Sequence, residues 1–86
     1  MAEVKIGRVM HYYGHIGVAA VEITDGELAT GDTIHVRGHT SDFTQKVESM
    51  QIEHQPVAKA TAGQTVGLKV VSHARPHDTV FKVVPD

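Results

Sequence analysis

"GVAAVEITDGELATGDTIHVRG", Gly17–Gly38, is the stretch on which the fold turns. In its first part Ala19, Val21 and Ile23 fall on one face of an extended chain and Glu22 on the other. In its last part Ile34 and Val36 alternate with His35 and Arg37. Between them stand two turn signals, Asp25-Gly26 and Gly31-Asp32, where glycine accepts the positive φ that tight turns demand. Alternation broken by such turns is the pattern of antiparallel strands with one face buried.

The same grammar extends both ways. Upstream, Glu3–Tyr13 puts Val4 and Ile6 on one face and Val9 on the other, so a bulge is expected at Gly7–Arg8. Downstream, Gly38–Asp42 reads as a polar turn and Phe43–His54 as one long strand. Phe43 and Val47 differ in parity from Met50 and Ile52, so that strand is expected to bend. Gln55–Gln64 reads as a connection, Thr65–Val71 as a strand, Ser72–Asp78 as a turn and Thr79–Val84 as the closing strand. The weak helical period across Val47–Ala60 is interrupted by Pro56. About six short strands at turn spacings of roughly 8–12 residues predict an all-β fold, a small six-stranded closed or nearly closed β-barrel. Closure would also remove edges that template aggregation. Residues 1–86 form a single domain on this reading, with no internal repeat or linker.

Composition narrows the function. The chain is 41% hydrophobic and 21% charged, which is globular rather than disordered. It has no cysteine, so disulfides, thiolate metal sites and a cysteine nucleophile are excluded. With neutral histidines the net charge is -2, not the positive field of a duplex-DNA binder. The apolar run Gly17–Val21 is far too short to span a bilayer, and the N-terminus lacks a signal-peptide core. A soluble, cytoplasmic protein that does not act on membranes is expected.

The turn grammar resembles the second domain of translational GTPases, the β-barrel of elongation factor Tu and its relatives. Gly26, Leu28, Gly31, Asp32 and Ile34 match that family's G-x-L-x-x-G-D-x-[IV] hairpin, and Ala62, Gly63, Val66, Gly67 and Leu68 its A-G-x-x-V-G-L. The resemblance covers nearly the whole chain and suggests a free-standing barrel of that type. A similar barrel also closes the collagenase-like peptidases at their C-terminus. Two departures stand out. No G-x-x-x-x-G-K-[ST] occurs, so nucleotide binding is not expected. The aminoacyl-end pocket is poorly kept, with Ser49–His54 reading "SMQIEH" and Thr65 in place of the family's asparagine.

Site chemistry centres on "HYYGHIG", His11–Gly17. Alternation sends Tyr12 and Tyr13 to opposite faces, so one ring is expected to pack and the other to lie exposed, flanked by His11 and His15. Arg37, His39 and Lys46 complete the binding candidates, and Gly26, Gly31, Asp32, Gly63 and Gly67 are read as structural turns and bends. The histidine pairs His11/His15, His35/His39 and His73/His77 lie four residues apart. On a strand that spacing spans roughly 13 Å, too far for one ion, whereas His73/His77 spans a turn that can bring the two closer; solvent-facing strand and loop histidines are the expectation, with no metal and no cofactor. Ser41-Asp42 and Ser72-His73 are sequence neighbours whose side chains diverge on a strand, which argues against a hydrolase. The resemblance thus implies a non-enzymatic accessory module contacting ribosome or structured RNA. The alternative is a protein-interaction barrel, a detached partner domain of an enzyme such as a collagenase-like peptidase.

Overall fold

The computed structural model describes residues 2–85. They form ten strands: β1 (Ala2–Tyr13), β2 (Val18–Ile23), β3 (Glu27–Ala29), β4 (Thr33–Arg37), β5 (Asp42–Lys46), β6 (Met50–Ile52), β7 (Gln55–Val57), β8 (Lys59–Thr61), β9 (Thr65–Lys69) and β10 (Thr79–Val84). Eight of them make one antiparallel sheet in the order β5-β4-β10-β1-β2-β9-β6-β7, while β3 and β8 pair separately. No helix is present among the described residues, and none therefore is long and apolar enough to cross a membrane.

The alternation that marks Gly17–Gly38 as strands is the alternation that fills the core. Ala19, Val21 and Ile23 of β2 are at most 1% exposed, and so are Ile34 and Val36 of β4 and Val66 and Leu68 of β9. Burying each Val, Leu or Ile side chain contributes about 1.5–3 kcal/mol. β1 is the spine. Its first half pairs with β10 and its second half with β2, with register shifts between Lys5 and Gly7 and between Val9 and His11. The first of these bulges lets Ile6 and Val9 both face inward despite their opposite parity.

Three expectations are corrected. The fold is all-β, but it is not a closed six-stranded barrel: the sheet ends at β5 on one side and β7 on the other. β5 runs beside the segment after β9 without a backbone ladder. Side chains bridge the gap instead: Gln45 Nε2 donates to the Lys69 carbonyl at 2.8 Å, the Val71 amide donates to Gln45 Oε1 at 2.7 Å, and Ser41 Oγ donates to the His73 carbonyl at 3.4 Å. Nor is Phe43–His54 one strand. β5 pairs with β4, and β6 pairs with β9 and β7, so the chain leaves one edge and joins the far side across Val47–Ser49. The segment Gln55–Gln64, read as a connection, supplies β7 and β8.

Candidate interaction site

The β1–β2 hairpin closes through Tyr13, whose carbonyl accepts from Ile16 N at 3.2 Å and Gly17 N at 2.9 Å, with Gly17 at φ 66°. Strand alternation then separates the two tyrosines. Tyr12 is half-buried, packs against the core and lies 4.4 Å from the His73 ring, tilted 46°. Tyr13 is 49% exposed and lies 4.4 Å from the His11 ring, tilted 59°.

Beside Tyr13 the surface is indented by a groove of about 310 Å³, lined by Tyr13, Ile16, Val18, Gln51, His54 and Gly67. Ile16 is 63% exposed, an unusual state for an isoleucine beside an exposed tyrosine. Gly67 leaves the groove open: a Cβ there would meet only Val18 Cγ1 at 3.5 Å and Gln51 O at 3.7 Å, both ordinary contacts. On the rim, the β6–β7 hairpin turns through Glu53 at φ 51° and His54 at φ 65°. Both are left-handed without being glycine, a state that costs roughly 1–2 kcal/mol per residue. Such strain concentrates at binding surfaces. Replacing the pair by the favoured turn sequence, Glu53→Asn with His54→Gly, is expected to stabilise the fold by about 1–2 kcal/mol and raise Tm by several degrees in a thermal melt.

His35 lies on the strand face opposite Ile34 and Val36 but is not free in solvent. Its ring sits between two carboxylates, with Nδ1 2.9 Å from Glu3 Oε2 and Nε2 against Asp42 Oδ1, and its side chain is only 14% exposed. The cluster ties β4 to β1 and β5 on the outer face. Both ring nitrogens serve as donors only in the imidazolium form. The hydrogen bond to Asp42 and then that to Glu3 raise the His35 pKa above its ordinary value, against a smaller opposing effect of burial. The unfolded histidine titrates near ~6.5. The contribution to stability is therefore fully present below that pH and lost as pH rises through the higher folded pKa. We expect Tm to fall between pH 6 and pH 8.5 in part through this group, and His35→Gln to flatten that dependence in thermal melts across the range.

The remaining candidates are dispersed. Arg37 and His39 lie at the β4–β5 turn, while Lys46 lies at the opposite end of that hairpin, its Cα paired with Thr33. His15 is exposed at the β1–β2 tip. Gly26 (φ 66°), Gly31 (φ 94°) and Gly63 (φ 94°) occupy left-handed turns, and Asp32 Oδ2 accepts from the Ala29 amide at 2.9 Å. Among the described residues no group of three or more His, Asp or Glu side chains is placed to hold a metal ion. Ile16, Val18, Gln51 and His54 are groove residues that the sequence reading passed over. The available signal was Val18, an apolar residue on the outward parity of β2, together with Gly67 on the outward parity of β9.

No family model matches the chain. Two collagenases of Porphyromonas gingivalis align with it, one 38% identical over 81 residues and the other 40% identical over 78. These alignments cover 93% and 90% of this chain but 20% and 22% of the collagenases. An uncharacterised protease of Methanocaldococcus jannaschii is 38% identical over 80 residues, covering 92% of the chain and 19% of the protease. The chain thus spans about a fifth of the length of the curated relatives it matches. Among solved structures, the C-terminal domain of a Geobacillus thermoleovorans protein described as a U32 peptidase superposes with a TM-score of 0.86 at 25% identity. That match covers 94% of this chain and 93% of the domain.

The relatives are collagenase-like peptidases. They overturn the assignment to a translation-factor barrel, and with it the ribosome and RNA contacts which that assignment carried. The physical reason is visible in the matched residues. Gly26, Gly31 and Gly63 all adopt left-handed turns, and Asp32 caps one of them. The two motifs therefore encode the turns of a small β-fold, which the peptidase C-terminal domains need as much as translation factors do.

Proposed function

We propose that this chain is a non-catalytic accessory module of a collagenase-like peptidase, and that the Tyr13–Ile16 groove is the face by which it holds the rest of the enzyme. One observation carries the reading: nearly all of this chain corresponds to one fifth of proteins named as collagenases, and its fold matches a solved C-terminal domain of such a peptidase. A unit that recurs whole within larger peptidases is one that positions or completes them. The groove supplies the chemistry of a contact face, a rigid aromatic anchor beside an exposed isoleucine over a glycine floor.

A chimera tests this. This chain replaces its matched segment in the Porphyromonas gingivalis collagenase, alongside a version with the segment deleted. Collagen hydrolysis is expected to survive in the chimera and to fall at least tenfold in the deletion, while the chain alone hydrolyses nothing above blank. Tyr13→Ala in the chimera is expected to lower activity about fivefold or more without unfolding the module. Gly67→Ala, which puts a methyl group on the groove floor at ordinary contact distance, is expected to act in the same direction. Hydrolysis by the isolated chain would overturn the non-catalytic reading. Full activity in the Tyr13 and Gly67 variants would remove the groove from it.

A further inference from the structure

The seam where the barrel fails to close has the chemistry of a binding site. Flanking β5, Ser41 O accepts from Gly38 N at 2.7 Å, and Val47 uses both its N–H and its carbonyl toward Asp32 and Gly31 at 2.8 Å. Residues of that parity turn their backbone groups toward β4, so Asp42, Thr44 and Lys46 turn theirs away from it, toward the seam. Across the gap, Lys69 presents its carbonyl and Val71 its amide. These are groups two residues apart on one strand edge, the pair that a neighbouring strand takes. Here the Gln45 carboxamide takes both, at 2.8 and 2.7 Å, standing in for a peptide group. Beside it the seam opens into a cavity of about 480 Å³ that Lys46 and Lys69 flank. Neither lysine is ion-paired among the described residues, Glu48 is the cavity's one acidic side chain, and Val71 is 78% exposed.

We propose that the seam between β5 and the Lys69–Val71 segment is an acceptor site for an extended, acidic peptide, which pairs with the exposed strand edges and displaces the Gln45 side chain. The hydrogen-bonding pattern selects an extended backbone, as strand addition at sheet edges does. The two lysines select acidic side chains on it. The site is independent of the Tyr13 groove and stands whether or not the groove contacts a peptidase.

The test is an NMR titration of the whole chain, at fixed salt, with acetyl-Thr-Glu-Val-Glu-Thr-amide and with its lysine counterpart, acetyl-Thr-Lys-Val-Lys-Thr-amide. The acidic peptide is expected to give saturable shifts at the amides of Thr44, Lys46 and Val71, and the lysine peptide none. Gln45→Ala removes the competing carboxamide and is expected to tighten binding about fivefold or more. Lys46→Glu with Lys69→Glu is expected to abolish binding of the acidic peptide and to admit the lysine one, an outcome readable even if Gln45→Ala does not fold. Equal binding of both peptides, shifts located away from the seam, no saturable binding, or weaker binding in Gln45→Ala would each overturn the proposal.

Discussion

Gly7→Ala is expected to lower Tm by roughly 12–24 °C, the largest loss from adding a single methyl group to this domain. Gly7 lies in β1 at the register shift where the strand passes from β10 to β2, and its Cα pairs with Val80 on one side and Ile23 on the other. A Cβ at this position would overlap the Glu22 carbonyl oxygen and stand 3.1 Å from the Glu22 carbonyl carbon and 3.3 Å from Ile23 Cα. All three are backbone atoms of β2, so no side-chain rotation relieves the clash. Relief requires β2 to move away from β1, which opens the ladder that carries Val21 and Ile23 into the core. Ordinary overpacking costs about 1–3 kcal/mol. A backbone overlap between the two central strands belongs at or above the top of that range, about 3 kcal/mol or more. An 86-residue domain has about 4–13 kcal/mol in total, so much of its stability is at stake. Gly14→Ala is the control. Its Cβ meets only Tyr12 Cε2 at 3.5 Å, and it should move Tm by a few degrees at most. If Gly7→Ala shifts Tm by less than ~5 °C, β1 and β2 separate more easily than this geometry allows.

Gly7 also shows what a sequence discloses and what it withholds. The change of parity announced a bulge at Gly7–Arg8, and the register shift falls just before it, between Lys5 and Gly7. Ala19, Val21 and Ile23 announced their burial in the same way, because side-chain parity along a strand is local physics. The opposite faces of Tyr12 and Tyr13 followed from the same rule. What stayed hidden depends on partners far along the chain. Phe43–His54 has the residues of a continuous strand, yet β5 and β6 belong to opposite ends of the sheet order. The β3–β8 pair is three residues on each side, too short for a period to emerge. Gln45 looks like any polar strand residue until Lys69 and Val71 are brought beside it. The groove was illegible for the same reason: its walls come from the β1–β2 tip, β6, β9 and the Glu53–His54 turn, and no single stretch of sequence contains it. The turn motifs were legible but shared between families, which is why they gave the fold class and misdirected the function.

Gly38→Ala and Asp78→Ala should each cost about 2–3 kcal/mol, and together little more than Asp78→Ala alone. Asp78 is 4% exposed, at the end of the loop that joins β9 to β10. Its Oδ2 accepts from the Arg75 amide at 2.9 Å, and its backbone carbonyl accepts from Val9 N at 2.8 Å, while His77 N donates to the Val9 carbonyl at 2.8 Å. The loop is thereby laid against the second half of β1, with Ala74 fully buried beneath it. Removing the carboxylate leaves the part-buried Arg75 amide without its acceptor, a loss of about 1–3 kcal/mol, and leaves a void beside it. Gly38 sits in the β4–β5 turn, donating its amide to the Ser41 carbonyl at 2.7 Å. A Cβ on Gly38 would overlap Asp78 Oδ1 and stand 3.3 Å from Asp78 Cβ. Gly38→Ala therefore acts chiefly by expelling the Asp78 carboxylate from its bond to Arg75. With Asp78 already truncated, the new methyl group meets no carboxylate and fills part of the void. Summed singles predict a loss of about 4–6 kcal/mol; the double variant should lose about 2–3, a coupling of roughly 2 kcal/mol or more, within the range seen for residues in contact. Urea midpoints for the four proteins measure it, provided the slopes agree. Additive losses, to within about 0.5 kcal/mol, would mean that Gly38 is needed for its own turn and not to make room for Asp78.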